Sequence, residues 1–190
     1  MPYPAKTSAE QILSAAITRL EQGGQAGLSL RALAAELKLT PNALYRYFGS
    51  REALLAAMAV QGAVLLLQAL EPVLRNSLSP QGVHELARRY LAFARTRPAL
   101  YDLYMTCDSL SSEQQQTYEQ LWEQVVQQLQ PLAGSHSAQV AMTLWSYLHG
   151  LVGLERSGVY DSPGSPKPPQ NLAFGLNLLL AGLRTLESSP

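Results

Sequence analysis

The sequence predicts an all-α protein, a three-helix head followed by a helical-bundle body, with about nine helices in all. Three observations carry this. Apolar residues recur three and four apart along almost every segment, and nowhere alternate convincingly with period two. Helix starts are marked by Ser, Thr or Pro, and several ends by Gly or by a following Pro. Of 190 residues, 47% are hydrophobic and only 15% charged, the balance of a helical chain that hides much of its surface.

Thr7 and Glu10 form a T-x-x-E capping box. It opens a helix with Ile12, Leu13, Ala16, Ile17 and Leu20 on one side, ended by Gly23 and Gly24. Ser29 caps a second helix, whose apolar face is Leu30, Leu33, Ala34 and Leu37. Lys38, Leu39 and Thr40 make a three-residue turn. Thr40 then caps a short third helix, with Pro41 at the first helical position, where its missing N–H costs nothing. Leu28 with Leu33, and Leu39 with Leu44, are placed as hydrophobic staples.

From Ser50 a fourth helix runs to about Pro72. Residues 53–70 are apolar enough to raise a membrane span, but Gln61, Gly62 and Gln68 interrupt them, and they read as a long buried helix. Ser79 and Pro80 start a fifth helix that stops near Arg97, since Pro98 disfavours helix at the residue before it. Residues 98–107 form a short sixth. A seventh follows Ser111, with Gln114 completing a capping box, and continues to about Pro131. An eighth covers Ser137 to Arg156, residues 157–169 are a Pro- and Gly-rich loop, and a ninth takes Asn171 to about Leu186.

Two short helices locked by a three-residue turn are the helix-turn-helix arrangement, whose second helix enters the major groove of DNA. The order L-S-L-R-A-L-A-x-x-L, then T-P-N-A-L-Y-R-Y-F, then G-S-R-E-A-L-L resembles the DNA-binding head of TetR-family transcriptional regulators over residues 7–58. Family members usually carry His where this chain has Tyr47, and Lys where it has Arg51. The resemblance implies a DNA-binding domain over residues 1–52 and a ligand-binding and dimerisation domain over residues 53–190.

On the recognition helix, Asn42 and Arg46 have the chemistry to read adenine and guanine edges, while Leu44 and Phe48 point inward. By resemblance, Tyr45 and Tyr47 touch phosphate or sugar, and Thr40 both caps and binds phosphate. Pro41 opens that helix, Arg51 adds charge to a helix N-terminus, and Arg31 and Lys38 are further backbone contacts. Net charge is zero overall, yet residues 1–51 hold six cations (Lys6, Arg19, Arg31, Lys38, Arg46, Arg51) against three anions (Glu10, Glu21, Glu36). A positive head on a negative body suits a protein that grips DNA with one end.

The body carries a Leu stripe. Leu144, Leu148 and Leu151 share a face of the eighth helix, and Leu172, Leu176, Leu179 and Leu183 repeat along the ninth. An internal core accounts for the stripe, and so does a four-helix dimer interface, the mode that the resemblance implies. The dimer is the stated expectation, helped by the two-fold logic of palindromic operators. The aromatic and sulfur-bearing residues Tyr101, Tyr104, Met105, Cys107, Trp122, Trp145 and His149 are the expected pocket for an apolar or aromatic effector. Trp145, His149 and Gly150 form a W-x-x-x-H-G pattern similar to a Trp-His-Gly subclass of these regulators; a satisfied core histidine is the plainer account of His149.

The expected function is therefore a sequence-specific transcriptional regulator, by resemblance a repressor. It is expected to bind a palindromic double-stranded operator as a homodimer and to be modulated by a small molecule. No cofactor, metal or membrane partner is expected, since His84, His136 and His149 are scattered and Cys107 is the only cysteine. The N-terminus lacks a signal-peptide pattern, so the expected compartment is the cytoplasm. Two other readings compete. One is a thiol-dependent enzyme using Cys107 with His149, or paired Asp102 and Asp108, although neither sits in a recognisable motif. The other is an interaction module that has lost DNA binding, against which Asn42, Tyr45, Arg46 and Arg51 stand intact.

Overall fold

A computed structural model of the chain describes residues 7–107 and 112–187, and every described element is helical. The first helix, α1 (Ala9–Gly27), is capped one residue later than the Thr7–Glu10 pattern predicts. The Ser8 hydroxyl accepts from Gln11 N–H at 3.2 Å, and the Gln11 side chain accepts from Ser8 N–H at 3.1 Å. The box is thus S-x-x-Q, which satisfies the same orphan donors as the expected pair. Gly24 adopts φ 61° and ψ −169°, which breaks the axis where the glycine pair predicts an end, although a last helical turn follows.

Helix α2 (Leu30–Glu36) is capped by Ser29, and α3 (Pro41–Phe48) by Thr40, whose Oγ1 accepts from Ala43 N–H at 3.2 Å. Between them Lys38 takes φ 56°, the only positive φ outside glycine among the described residues. There Leu39 N–H reaches back to the Ala34 carbonyl at 2.8 Å and closes the end of α2. The remaining helices are α4 (Arg51–Leu74), α5 (Pro80–Thr96), α6 (Pro98–Thr106), α7 (Ser112–Ala133), α8 (Ser137–Arg156) and α9 (Pro168–Glu187). Helix α9 starts inside the expected loop because prolines fit a first helical turn. The expected capping pair Ser111 and Gln114 lies outside the described residues and side chains.

The domain boundary expected near residue 52 falls at the start of α4, which continues unbroken. Compactness divides the chain elsewhere, into Met1–Leu65 with Arg97–Tyr118, and Leu66–Thr96 with Glu119–Pro190. The first unit has one core built from Ile12, Ala16 and Leu20 of α1, Leu33 of α2, Leu44 of α3, Leu54 and Met58 of α4, and Leu100 and Leu103 of α6. Helix α6 thus packs into the three-helix head. Its strongest polar tie is to Glu21 of α1, whose carboxylate accepts from Leu100 N–H at 3.0 Å and Ala99 N–H at 3.3 Å. Arg19 and Glu36 join α1 to α2 at 2.7 Å.

In the second unit α5, α8 and α9 pack together, burying Leu86, Leu91, Leu144, Leu148, Leu176 and Leu183. The ends of α5 and α8 are clasped. Arg95 donates to both carboxylate oxygens of Glu155, and Arg156 donates to the Ala94 carbonyl at 3.2 Å. Pairing with Glu155 raises the Arg95 pKa against a partly offsetting burial. Helix α4 is long and apolar enough to cross a membrane by length and composition, but its buried face is core, with Leu54 and Met58 in one unit and Leu66 and Leu70 in the other.

Candidate nucleic-acid interface

The turn before α3 and the staple Leu39–Leu44 decide which side of that helix is free. Leu44 is buried and Phe48 half-buried, so Pro41, Asn42, Tyr45, Arg46 and Tyr47 face outward. Tyr45 is 42% exposed, an unusual amount of aromatic surface to leave in water without a partner. Arg31 and Lys38 are exposed beside it in sequence, and Thr40 is exposed while its hydroxyl serves as the cap. Donors able to bind base edges and phosphate are therefore exposed at the start of α2, in the turn and along α3.

Two expected phosphate contacts are already engaged. Tyr47 donates its hydroxyl to the Thr7 carbonyl at 2.6 Å, tying the entry to α1 onto the last turn of α3. Arg51 donates to the Gln25 carbonyl at 3.0 Å, stitching the start of α4 to the end of α1. Each side chain has a positioning job inside the head. The sequence also places Ser50 with Glu52 in the first turn as the cap that opens α4, and the Ser50 hydroxyl accepts from Ala53 N–H at 3.1 Å there. The Glu52 carboxyl is held below its usual range by its own backbone N–H, the Ser50 hydroxyl and Arg51. The helix N-terminus there does favour negative charge, and Glu52 occupies it.

The expected pocket residues fall into separate groups. Tyr101 is buried, while Tyr104, Met105 and Cys107 are half-buried on or beside α6 in the first unit. There Tyr104 stacks at 4.9 Å, ring to ring, on Tyr118, which the sequence reading had not singled out. Nothing in the spacing of the two tyrosines announces this, because it depends on where α7 folds back. Burial pushes the Tyr104 hydroxyl up to about 12, helped by Tyr101, and Tyr118 higher still.

In the second unit Trp122 is half-buried, and Trp145 is exposed at its edge while its indole N–H donates to the Tyr90 hydroxyl at 3.2 Å. His149 is exposed on α8, so the core-histidine account of it fails. Asp102 is exposed, and Asp108 lies outside the described residues. The second unit does contain a cavity, an open apolar groove of about 460 Å³. None of the expected pocket residues lines it. Its walls include Val83, Val140, Leu144, Leu179 and Leu183, with Gln139 and Thr143 at α8.

The residues expected at a dimer interface lie as follows within one chain. Leu144, Leu148, Leu151, Leu172, Leu176 and Leu183 are buried within one chain, and Leu179 is half-buried in the groove wall. They form the seam between α8, α9 and α5. The apolar groups that remain open are Met142 and Trp145 on α8, and Phe174 and Leu178 on α9, the last two 65% and 58% exposed. Each pair lies about one helical turn apart.

A capped, stapled helix-turn-helix with an open second helix defines the class of DNA-binding regulators. Comparison with known proteins agrees. The model for bacterial regulatory proteins of the tetR family matches residues 12–58, and that for the tetracyclin repressor-like C-terminal domain matches residues 83–186. The chain belongs to the TetR family, whose members are DNA-binding transcriptional regulators and not enzymes. It is 29% identical over 162 residues to an uncharacterized HTH-type transcriptional regulator of Mycobacterium tuberculosis, covering 83% of this chain and 74% of that one. Among solved structures it resembles a protein of unknown function from Rhodococcus sp. RHA1, with TM-score 0.81 and 24% identity over 96% of this chain and 98% of the other. BioQ with its natural double-stranded DNA operator superposes with TM-score 0.63 at 24% identity, covering 94% and 98%. TetR-Q116A from Acinetobacter baumannii AYE in complex with minocycline does so with TM-score 0.67 at 21% identity, covering 97% and 100%.

Proposed function

We propose that this regulator is a repressor that binds a palindromic operator as a homodimer and loses affinity when an apolar or aromatic effector occupies its body. The observation that carries the reading is the open face of α3, where Asn42, Tyr45 and Arg46 stand outward over a buried Leu44. Asn42 and Arg46 read bases, while Thr40, Tyr45, Lys38 and Arg31 contact the backbone. Pro41 presets the start of the helix. Tyr47 and Arg51 act first by holding the head together, and contact phosphate second.

The open apolar residues Met142, Trp145, Phe174 and Leu178 support a dimer face on α8 and α9, with Trp145, His149 and Gly150 of the Trp-His-Gly-like pattern at its edge. Two heads would then meet major grooves about 34–36 Å apart. An effector bound better by one head spacing than by the other shifts operator affinity by that difference. The tyrosines around Tyr104 and Tyr118 are the effector site this reading favours, and the chain works in the cytoplasm, where its DNA is.

Selection of random duplex DNA by the purified protein, followed by sequencing, tests the reading. Enrichment of a near-palindromic motif is expected. On that motif Arg46→Ala should cost about 1–3 kcal/mol and flatten preference at one position, whereas Arg31→Ala should weaken all duplexes alike. Equal effects of both on every duplex would remove Arg46 from base readout.

A further inference from the structure

Helix α3 has eight residues, little more than two turns, so each of its side chains has a fixed bearing. At about 100° per residue, Leu44 and Phe48, one turn apart, mark the side turned into the core. Asn42 and Arg46, also one turn apart, mark the side opposite. Tyr45 and Tyr47 flank that pair, one to each side.

The neighbouring polar groups already have work within the head. Thr40 caps α3, Tyr47 is tied to the Thr7 carbonyl, and Arg51 to the Gln25 carbonyl. Among the described residues, Asn42, Tyr45 and Arg46 make no side-chain hydrogen bond or ion pair. Only two of these three carry the paired groups that grip a base edge at two points. An Asn amide matches N7 and N6 of adenine, and a guanidinium matches O6 and N7 of guanine, whereas Tyr45 offers a single hydroxyl. Side-chain length fits the same arrangement. A recognition helix meets bases with its N-terminal residues, where the short Asn42 is second in α3. Arg46 lies one turn further back, and its longer reach covers the gap.

We propose that the stretch of duplex met by one α3 is specified at two base pairs, an A·T pair gripped by Asn42 and a G·C pair gripped by Arg46, two base steps apart. Four residues rise about 6 Å along the helix axis, and two base steps rise about 6.8 Å along the DNA, so the two grips fall in register. The other exposed donors of the head hold phosphate and are indifferent to sequence. The proposal rests on the operator-binding reading above and gives that operator its letters and their spacing.

The test starts from the motif that full-length native protein selects from random duplexes. Kd is then read by fluorescence anisotropy on that duplex and on duplexes altered at one base pair, for the native chain, Asn42→Ala, Arg46→Ala and Arg46→Gln. Salt is kept low enough for phosphate contacts to hold every variant on DNA. The native chain should lose about tenfold or more when either specified pair is altered. Asn42→Ala should bring discrimination at the A·T pair below about twofold and keep it at the G·C pair, and Arg46→Ala should do the reverse. Arg46→Gln should move the preference at its pair from G·C toward A·T, because Gln grips adenine. Both side chains are exposed, so each variant should keep the native melting temperature. A motif whose strongest pairs are not an A·T and a G·C two steps apart would overturn the proposal, as would variants that blunt both pairs alike or neither. Failure of the native chain to select any motif would instead overturn the operator-binding reading, before any variant is made.

Discussion

Gly175→Ala should destabilise the pairing of α8 with α9, and the sign of the effect should reverse when Tyr147 is removed. A Cβ at Gly175 would overlap the tip and edge of the Tyr147 ring, whose hydroxyl donates to the Asn171 carbonyl at 2.6 Å. Asn171 in turn donates to the Tyr160 hydroxyl at 2.7 Å, so the ring anchors the start of α9. Displacing it forfeits a hydrogen bond of about 1 kcal/mol and adds about 1–3 kcal/mol of strain from overpacking. Alanine recovers about 1 kcal/mol over glycine inside a helix, leaving a net loss of about 1–3 kcal/mol. In a Tyr147→Ala background the overlap is gone, and the same substitution should stabilise by up to about 1 kcal/mol. Urea unfolding of the four proteins gives the coupling energy directly. A Gly175→Ala variant more stable than the native chain, or equally destabilised in both backgrounds, would show that the ring does not depend on the missing Cβ.

Three further expectations follow from single features. Lys38→Gly should leave the protein as stable or about 1 kcal/mol more so, because Lys38 holds φ 56°, and should lower the salt slope of operator binding by about one; an unchanged slope would make Lys38 a solvated turn residue. Tyr104 titrates near 12 when folded against about 10 when unfolded, so its contribution to stability is complete below pH 10 and drains away as pH rises to 12. Denaturation at pH 9 and 11.5 should therefore show a steeper loss in the native chain than in Tyr104→Phe, by about 1–2 kcal/mol, and equal losses would count against the burial argument. Phe174→Glu should turn a dimer into a monomer by light scattering while the exposed control Val159→Glu should not; monomeric native protein would remove the dimer face outright.

What was legible in the sequence was what local chemistry decides. Thr40 with Pro41, Ser29, and the staples each act within five residues, so the helix-turn-helix could be read with its open face in advance. The one slip there, Ser8 and Gln11 in place of Thr7 and Glu10, exchanged neighbouring cap residues of equal competence. In the body a leucine seam has the same period whether it faces the chain's own helices or a second molecule, and only the observed burial of Leu148 and Leu176 separates the two. The residues left open, Met142, Phe174 and Leu178, make no seam in the sequence, because they fall among the regularly spaced buried leucines Leu144, Leu172, Leu176 and Leu180. Glu21 and Tyr118 were invisible for a related reason: each acts through a partner on another helix, 78 and 14 positions away. Contacts of this kind are ones that periodicity cannot encode, and single-residue perturbation of those long-range partners is the direct way to weigh them.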